Sequence, residues 1–303
     1  MTWMRFKSKY VSLRWLGTLG WSIFRYVVLL GISFIILYPF ALKVAQMFMS
    51  RDDLLDNTVR FIPIAPTFDN IIASMNAMQY TRALLYTMMF CIVISLLQII
   101  VCSLAGYGFA RFKFYGKNII FFLVIMTLIV PTQVIIIPMF LSLRFFLGTE
   151  ISLINSIWSG IILTATGMGL RSGLYIFLFR QYFKNMPREL EEAAYVDGYG
   201  VFSTFYRIII PTSGTVITMI FLLSFAWQWT DTYMSTVFMS GEFLLASRAP
   251  LGIPLTGFQI NTVEVFNMFL NTSAILAIMP LAVIYFVCQR FFIQSVARTG
   301  LTE

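Results

Sequence analysis

Apolar residues fall into long runs separated by short polar links. The runs cover about 24–48, 82–106, 118–143, 156–182, 212–238 and 265–292. A helix needs roughly 20 mostly apolar residues to cross a bilayer. We therefore predict an all-α integral membrane protein with six transmembrane helices. Pro39, Pro131 and Pro138 lie inside these runs, where neighbouring helices or waters can satisfy the carbonyls that a proline frees.

The bulk composition agrees with a membrane protein. Hydrophobic residues make up 59% of the 303 residues, charged residues only 11%, and the mean hydropathy is +0.84. A soluble protein of this length would need a far more polar surface. The first apolar run is too long for a signal peptide, so we predict that it spans the membrane. One membrane domain is expected over 24–293, between an N-terminal tail 1–23 and a C-terminal tail 294–303.

The charged residues predict the orientation. Most of the 21 basic residues lie in the two tails and in the links after the second and fourth runs. Because Lys and Arg accumulate in cytoplasmic loops, both termini and these two links are expected in the cytoplasm. The formal net charge of +8 is then explained by topology and does not indicate nucleic-acid binding.

Several kinds of chemistry are excluded by residue type. The chain has no His, so His-based acid–base catalysis is impossible. Cys91, Cys102 and Cys288 lie in apolar runs without a CxxC pair, which argues against zinc. A membrane enzyme would need several titratable groups facing one cavity, and Asp231 is the main acid within the later runs. No metal site is predicted.

One cytoplasmic link stands out. The stretch "RELEEAAYVDGYG", residues 188–200, holds nearly all the acids predicted on that side. Pro187 suits the first turn of a helix, good helix formers follow, and Gly198 offers a left-handed stop. Leu190, Ala193, Ala194 and Asp197 share one face by their helical spacing, and Glu189, Glu192 and Val196 group on another.

A second helical stretch is expected from Val201 to Ile210, ended by Pro211. The result is a helix–turn–helix at the membrane surface. A face of small residues lets a partner approach closely, and acids can pair with its basic side chains. An ordinary interfacial link is an equally good interpretation from these residues alone.

The spacing within this link resembles the EAA loop of ABC importer permeases. The family pattern begins with Glu192-Ala193-Ala194, and Gly198 follows after three residues. Nine residues separate Gly198 from Ile208, and one residue separates Ile208 from Ile210-Pro211, with Ile210 where Leu is usual. The stretches "VPTQVIIIPMF", "MPRELEEAAYVDG" and "WQWTDTYM" are similar to the carbohydrate-uptake subfamily, of the type of the second maltose permease subunit.

The resemblance has definite implications. It implies the type I importer (MetI-like) permease fold, in a bacterial inner membrane, with an EAA loop at about 185–211 that acts as a cytoplasmic coupling helix. The expected partners are a second permease subunit, two ABC ATPase subunits, an extracytoplasmic solute-binding protein, a carbohydrate substrate and membrane lipid. No GxxxxGK[ST] motif occurs, so ATP and Mg are expected on the ATPase subunits, with no cofactor here. The residues expected to contact the ATPase are Glu192, Ala193, Ala194, Asp197, Gly198, Ile208 and Pro211.

Polar residues inside spans are candidates for the substrate pathway because they are costly to place there. Amides and carboxylates suit sugar hydroxyls, and aromatic rings suit sugar C–H faces. The Trp-Thr-Asp at 229–231 departs from the subfamily, which often has Trp-Asn. Arg171 lies in a Gly-rich stretch, where it lines a broken helix or contacts a sister subunit. The candidates are Gln133, Arg171, Gln228, Trp229, Thr230, Asp231, Asn267 and Asn271.

The sequence thus predicts a transport subunit without its own catalytic centre. A permease for sugars or oligosaccharides is the first hypothesis. A permease for peptides, polyamines or amino acids would share the same loop and is the alternative.

Overall fold

The computed structural model describes residues 13–56, 58–242, 244–254 and 263–300, and this part of the chain is helical. Three uninterrupted helices are long and apolar enough to cross a membrane: α1 (Leu13–Met47), α4 (Tyr80–Arg111) and α15 (Val263–Gly300). They correspond to the first, second and sixth predicted spans. The predicted tails, 1–23 and 294–303, lie partly outside the described residues, and α1 and α15 extend into both.

The third predicted span, 118–143, is not one straight helix. It consists of α5 (Lys117–Ile129) and α6 (Thr132–Arg144), which meet at 107°. Pro131 is the physical cause, because it has no N–H to donate and forces the preceding residue towards an extended conformation. Val130 accordingly has φ −69° and ψ 120°. Pro138 is accommodated inside α6.

The fourth predicted span, 156–182, is also wrong as a single helix. It divides into α7 (Ile157–Ala165) and α8 (Ser172–Asn185), joined by an irregular stretch. Gly167 and Arg171 in this stretch have φ of 77° and 60°. An α-helix cannot pass through such left-handed residues.

The fifth predicted span, 212–238, is shorter than expected. Helix α12 (Gly214–Thr230) ends before Asp231, and α13 (Tyr233–Phe238) follows as a separate helix. Within the described residues, three helices qualify as spans by themselves, and up to five if each bent pair is one span. The predicted count of six is therefore not reproduced.

The remaining elements are short and lie mostly in the links. The link after α1 contains α2 (Arg51–Leu55) and α3 (Asp69–Met78). Asn70 of α3 donates Nδ2 to the carbonyls of Met47 and Met49, at 3.2 and 2.8 Å, which fixes this link to the end of α1. The others are α9 (Glu189–Val196), α10 (Val201–Thr204), a π-helical turn (Phe205–Ile209), α11 (Ile210–Thr212), α14 (Leu245–Arg248), and 3-10 turns at Phe146–Gly148 and Ala249–Leu251.

Helix α4 is the centre of the fold and packs against α8 and α12. Gly106 of α4 permits the close approach of α4 to α8, since a Cβ added at Gly106 would lie 2.6 Å from Cβ of Phe179 on α8. Beside this contact, Tyr107, Phe183 and Phe205 form a buried aromatic cluster. This cluster joins the end of α4 to the surface helices α9–α11.

Candidate functional site

The segment from α9 to α11 forms a helical hairpin, residues 189–212, at one end of α4 and α8. Its first helix begins with acids at Glu189, Glu191 and Glu192, which favour the positive end of the helix dipole. The prediction of a glycine stop is confirmed, because Gly198 has φ 81° and Tyr199 donates its N–H to the Ala194 carbonyl at 2.9 Å. Pro187 precedes the first helical residue by two positions instead of lying in the first turn.

The inward face of α9 holds Glu191 and Ala194, which lie one turn apart and are both buried. Leu190, Ala193 and Asp197, which were predicted to share a face with Ala194, are exposed. The helix thus buries only one side of that predicted face, because a charged partner on α4 holds Glu191 inwards. Its outward surface is formed by Glu192, Ala193, Val196, Asp197 and Gly198.

That charged partner is Arg111, the last residue of α4. Its Nε lies 2.7 Å from Oε1 of Glu191, and the two side chains are only 6% and 9% exposed. The same guanidinium donates Nη2 to the carbonyl of Met186, just after α8, at 2.8 Å. One arginine thus ties together the ends of α4 and α8 and the inner side of α9. From sequence it was interpreted only as a basic loop residue.

The second arm of the hairpin is continuous through its π-helical turn. Phe205 and Ile209 are buried against Tyr107 and Phe183, while Ile208 is partly buried. Pro211 is exposed and does not end the helix, since helical backbone reaches Thr212 and the 78° bend follows. A π-helical turn inside an α-helix is rare and frequently lies at a functional site.

A second region is a cleft where three helix breaks meet. Two adjoining cavities of about 210 and 180 Å³ share Thr132, Leu170, Arg171 and Met234, and we call them together the Arg171 cleft. The breaks between α5 and α6, between α7 and α8, and between α12 and α13 all contribute lining residues. Irregular backbone at membrane depth is tolerated where it lines a cavity.

Arg171 stands at the centre of this cleft. Its backbone is left-handed, at φ 60° and ψ 17°, a conformation that costs a non-glycine residue roughly 1–2 kcal/mol. Its guanidinium carbon lies 4.5 Å from the ring centroid of Trp227, in a cation–π contact. Arg171 thus lies at a helix break and lines a cavity, and its part in a substrate pathway stays a prediction.

A buried amide supports the break before α8. Gln98 of α4 donates Nε2 to the carbonyl of Leu170 at 2.6 Å and to the hydroxyl of Ser172 at 3.1 Å. Its Oε1 accepts from the hydroxyl of Ser224 on α12 at 2.5 Å. Gln98 was missed from sequence, although a lone amide in the middle of an apolar run is itself a signal.

The predicted pathway residues separate into two groups. Gln133, Arg171, Thr230 and Asp231 line the Arg171 cleft, together with Thr132 and Tyr233, which were not predicted. Gln228 lies beside Asp231 in a smaller neighbouring cavity of about 30 Å³.

The other three candidates lie away from the cleft. Trp229 is buried and donates Nε1 to the Ala277 carbonyl at 3.0 Å, which joins α12 to α15. Asn267 and Asn271 lie on α15 and are not among the residues that line the cleft. Their spacing of four residues puts them on one face of α15. That face does not line the cleft, because α15 packs on another part of α12.

The carboxylate of Asp231 has a local role. It accepts hydrogen bonds from the N–H groups of Met234 and Ser235, at 3.3 and 3.1 Å, and so caps α13. It therefore fixes the backbone at one edge of the cleft.

Comparison with known proteins gives a consistent result. The family model described as binding-protein-dependent transport system inner membrane component matches residues 99–298. The arabinooligosaccharides transport system permease protein AraQ of Halalkalibacterium halodurans is 27% identical over 297 residues, covering 95% of this chain and 96% of AraQ. The sn-glycerol-3-phosphate transport system permease protein UgpE of Yersinia pestis is 28% identical over 288 residues, covering 91% and 96%.

One solved structure shares the fold. A chain in the crystal structure of a bacterial ABC transporter involved in the import of the acidic polysaccharide alginate superposes with a TM-score of 0.70. The two chains are 20% identical, and the superposition covers 90% of this chain and 96% of the other.

Proposed function

Since the chain belongs to the family of binding-protein-dependent transport system inner membrane components, we propose that it forms half of the translocation pathway for a sugar or oligosaccharide in an ATP-driven ABC importer. Its function is that of a permease, and ATP hydrolysis takes place on partner subunits. The match in family and the full-length similarity to permease proteins support this proposal.

The observation that carries the proposal is the outward surface of the hairpin. Glu192, Ala193 and Asp197 are exposed on a short helix whose inner side is fixed by a buried ion pair. An acidic, small-residue surface on a firmly held helix suits docking to a basic cleft. We infer that α9 is the coupling helix and docks into an ATPase subunit.

The complete importer would contain a second permease subunit, two ATPase subunits that bind ATP and Mg, and a solute-binding protein. In this arrangement both termini and the hairpin face the cytoplasm, as the distribution of basic residues predicts. Closure of the ATPases would displace α9, and the Arg111–Glu191 pair would pass that displacement to α4. The Arg171 cleft is connected to α4 by Gln98, which donates hydrogen bonds to the Leu170 carbonyl and the Ser172 hydroxyl.

The substrate class is supported by the residues of the Arg171 cleft. Amide, hydroxyl and carboxylate groups from Gln133, Thr230 and Asp231 line it together with the indole of Trp227. Such a mixture suits a polyhydroxylated solute. The relatives are named for arabinooligosaccharides and sn-glycerol-3-phosphate, and the structural neighbour for alginate. These solutes are rich in hydroxyl groups but differ in charge.

The coupling role is tested with Glu192→Ala and Gly198→Ala in the reconstituted importer. Gly198→Ala forces a side chain into the left-handed conformation, which costs roughly 1–2 kcal/mol. We expect both variants to weaken ATPase binding or to separate ATP hydrolysis from uptake, measured as transported solute per ATP. Glu150→Gln is the control, because Glu150 is an exposed acid far from the hairpin. Variants that assemble and transport like the parent would refute the coupling role.

The substrate class is tested by titrating the purified solute-binding protein with sugars, peptides, polyamines and amino acids. Binding of a sugar or sugar derivative alone is the expected result. Tight binding of a peptide, polyamine or amino acid in its place would overturn the substrate assignment but leave the coupling role intact.

A further inference from the structure

We propose that the Arg171 cleft recognises an anionic group, a carboxylate or a phosphate, on the transported sugar, with Arg171 as the residue that binds it. This inference rests on the proposed function, because it specifies the substrate of the same pathway. It depends on the position, contacts and surroundings of Arg171.

Arg171 has a free charge that faces a cavity. Its side chain is exposed and lines both parts of the Arg171 cleft. Among the residues that the structure describes, no carboxylate forms an ion pair with it, whereas Arg111 pairs with Glu191. A cation at membrane depth is costly without a partner, so a substrate group is the natural counter-ion.

The contact with Trp227 orients the guanidinium. At 4.5 Å from the ring centroid, the indole covers one side of the cation and restricts its movement. The N–H groups at the edge of the guanidinium stay available. A guanidinium binds carboxylate and phosphate through two parallel hydrogen bonds, and a fixed orientation lowers the entropy cost of forming them.

The acid that lines the same cavity does not neutralise Arg171. Asp231 accepts from the N–H groups of Met234 and Ser235 and from the hydroxyl of Ser235. Its charge is therefore held by the first turn of α13. Gln133 and Tyr233 add neutral polar groups to the lining, which suit the hydroxyls of the rest of the sugar.

The test compares pairs of probes that differ in whether they carry the anionic group. The complete importer, with its binding protein, is reconstituted in liposomes and the initial uptake rate is measured. One pair is a trisaccharide of galacturonic acid and the same trisaccharide with its carboxyl groups reduced to hydroxymethyl groups. A second pair is sn-glycerol 3-phosphate and glycerol. The two pairs distinguish carboxylate from phosphate recognition.

We expect Arg171→Gln to lower uptake of the charged member of one pair by roughly tenfold to a hundredfold, the loss typical of a charge-assisted hydrogen bond. Uptake of its uncharged counterpart should not change. Arg171→Lys, which keeps the charge but loses the paired N–H groups, should retain assembly and fall in between. Arg144→Gln is the matched control, since Arg144 is exposed and stacks on Phe145 outside the cleft.

Three outcomes would overturn the inference. If Arg171→Gln lowers uptake of charged and uncharged probes equally, Arg171 has a structural role only. If the parent importer carries a neutral sugar such as maltotriose but neither the galacturonic acid trisaccharide nor sn-glycerol 3-phosphate, the anionic substrate is wrong while the proposed function stands. Import of a peptide in place of every sugar would overturn the proposed function as well.

Discussion

The hairpin and the Arg171 cleft solve different physical problems within one chain. The hairpin is backed by a tight aromatic cluster and by the Arg111–Glu191 pair. The cleft is bordered by three helix breaks and holds open space. The proposed coupling role needs one well-defined packing arrangement, whereas the proposed solute pathway needs polar groups and room.

The buried polar groups of the two regions differ in the same way. Beside the hairpin, the Arg111 guanidinium connects the end of α4 to α9 through Glu191 and to the end of α8 through the Met186 carbonyl. At the cleft, Gln98 stabilises the break between α7 and α8 by its hydrogen bond to the Leu170 carbonyl. The charged Arg171 contacts Trp227 and faces the cavity. A buried charge that is paired with an opposite charge in the protein stabilises one conformation, and a charge without a protein counter-ion is available to a ligand.

The largest expected effect is in the hairpin. Glu191→Gln leaves Arg111 buried without its counter-charge, and loss of one partner of a buried pair costs about 3–5 kcal/mol. We expect a marked fall in the thermal stability of the purified importer and loss of ATPase subunits from it. Glu189→Gln, on the exposed side of the same helix, is the control.

A charge exchange, Arg111→Glu with Glu191→Arg, sharpens this prediction. It should restore part of the lost stability, though not the bond to the Met186 carbonyl. If the single variant is as stable as the parent, the hairpin is not held by this pair.

An intermediate effect is expected behind the cleft. Gln98→Leu leaves the Leu170 carbonyl and the Ser224 hydroxyl without a partner, and an unsatisfied buried group costs about 1–3 kcal/mol. Solute uptake should fall while ATPase subunits stay bound, measured by uptake and by co-purification. Gln289→Leu is the control, because Gln289 is an exposed amide on α15. Release of the ATPase by Gln98→Leu would contradict the separation of the two regions.

The smallest effect is expected at Trp229. Trp229→Phe keeps a ring against Phe225 but loses the bond to the Ala277 carbonyl, worth about 1 kcal/mol. Stability should fall slightly, and the concentration dependence of uptake should not change. A clear change in apparent KM would return Trp229 to the substrate pathway.

The elements that the sequence predicts correctly are those whose structure depends on local chemistry. Gly198 and the helix before it were predicted because a left-handed glycine and good helix formers act over a few residues. The burial of Glu191 could not be predicted, because it depends on Arg111, which is far away along the chain. Hydropathy identified apolar segments but not their breaks, since Arg171 adopts a left-handed conformation that only the surrounding packing can impose.

The pathway candidates illustrate the same limit. Gln133, Arg171, Thr230 and Asp231 meet because three separate breaks converge, and no periodicity within one segment encodes that meeting. Trp229 follows Trp227 by two positions, yet one faces α15 and the other faces Arg171. On a helix, residues two apart point in different directions, so neighbours in sequence need not share a site.

Helix α1 has a consequence for biogenesis. None of the side chains in its most hydrophobic window is buried by the other described residues. Lipid or a second subunit must therefore cover it, and its insertion into the bilayer does not depend on the other helices being folded. During synthesis α1 can enter the membrane early and alone, and its exposed flank is then a surface on which a neighbouring subunit can assemble.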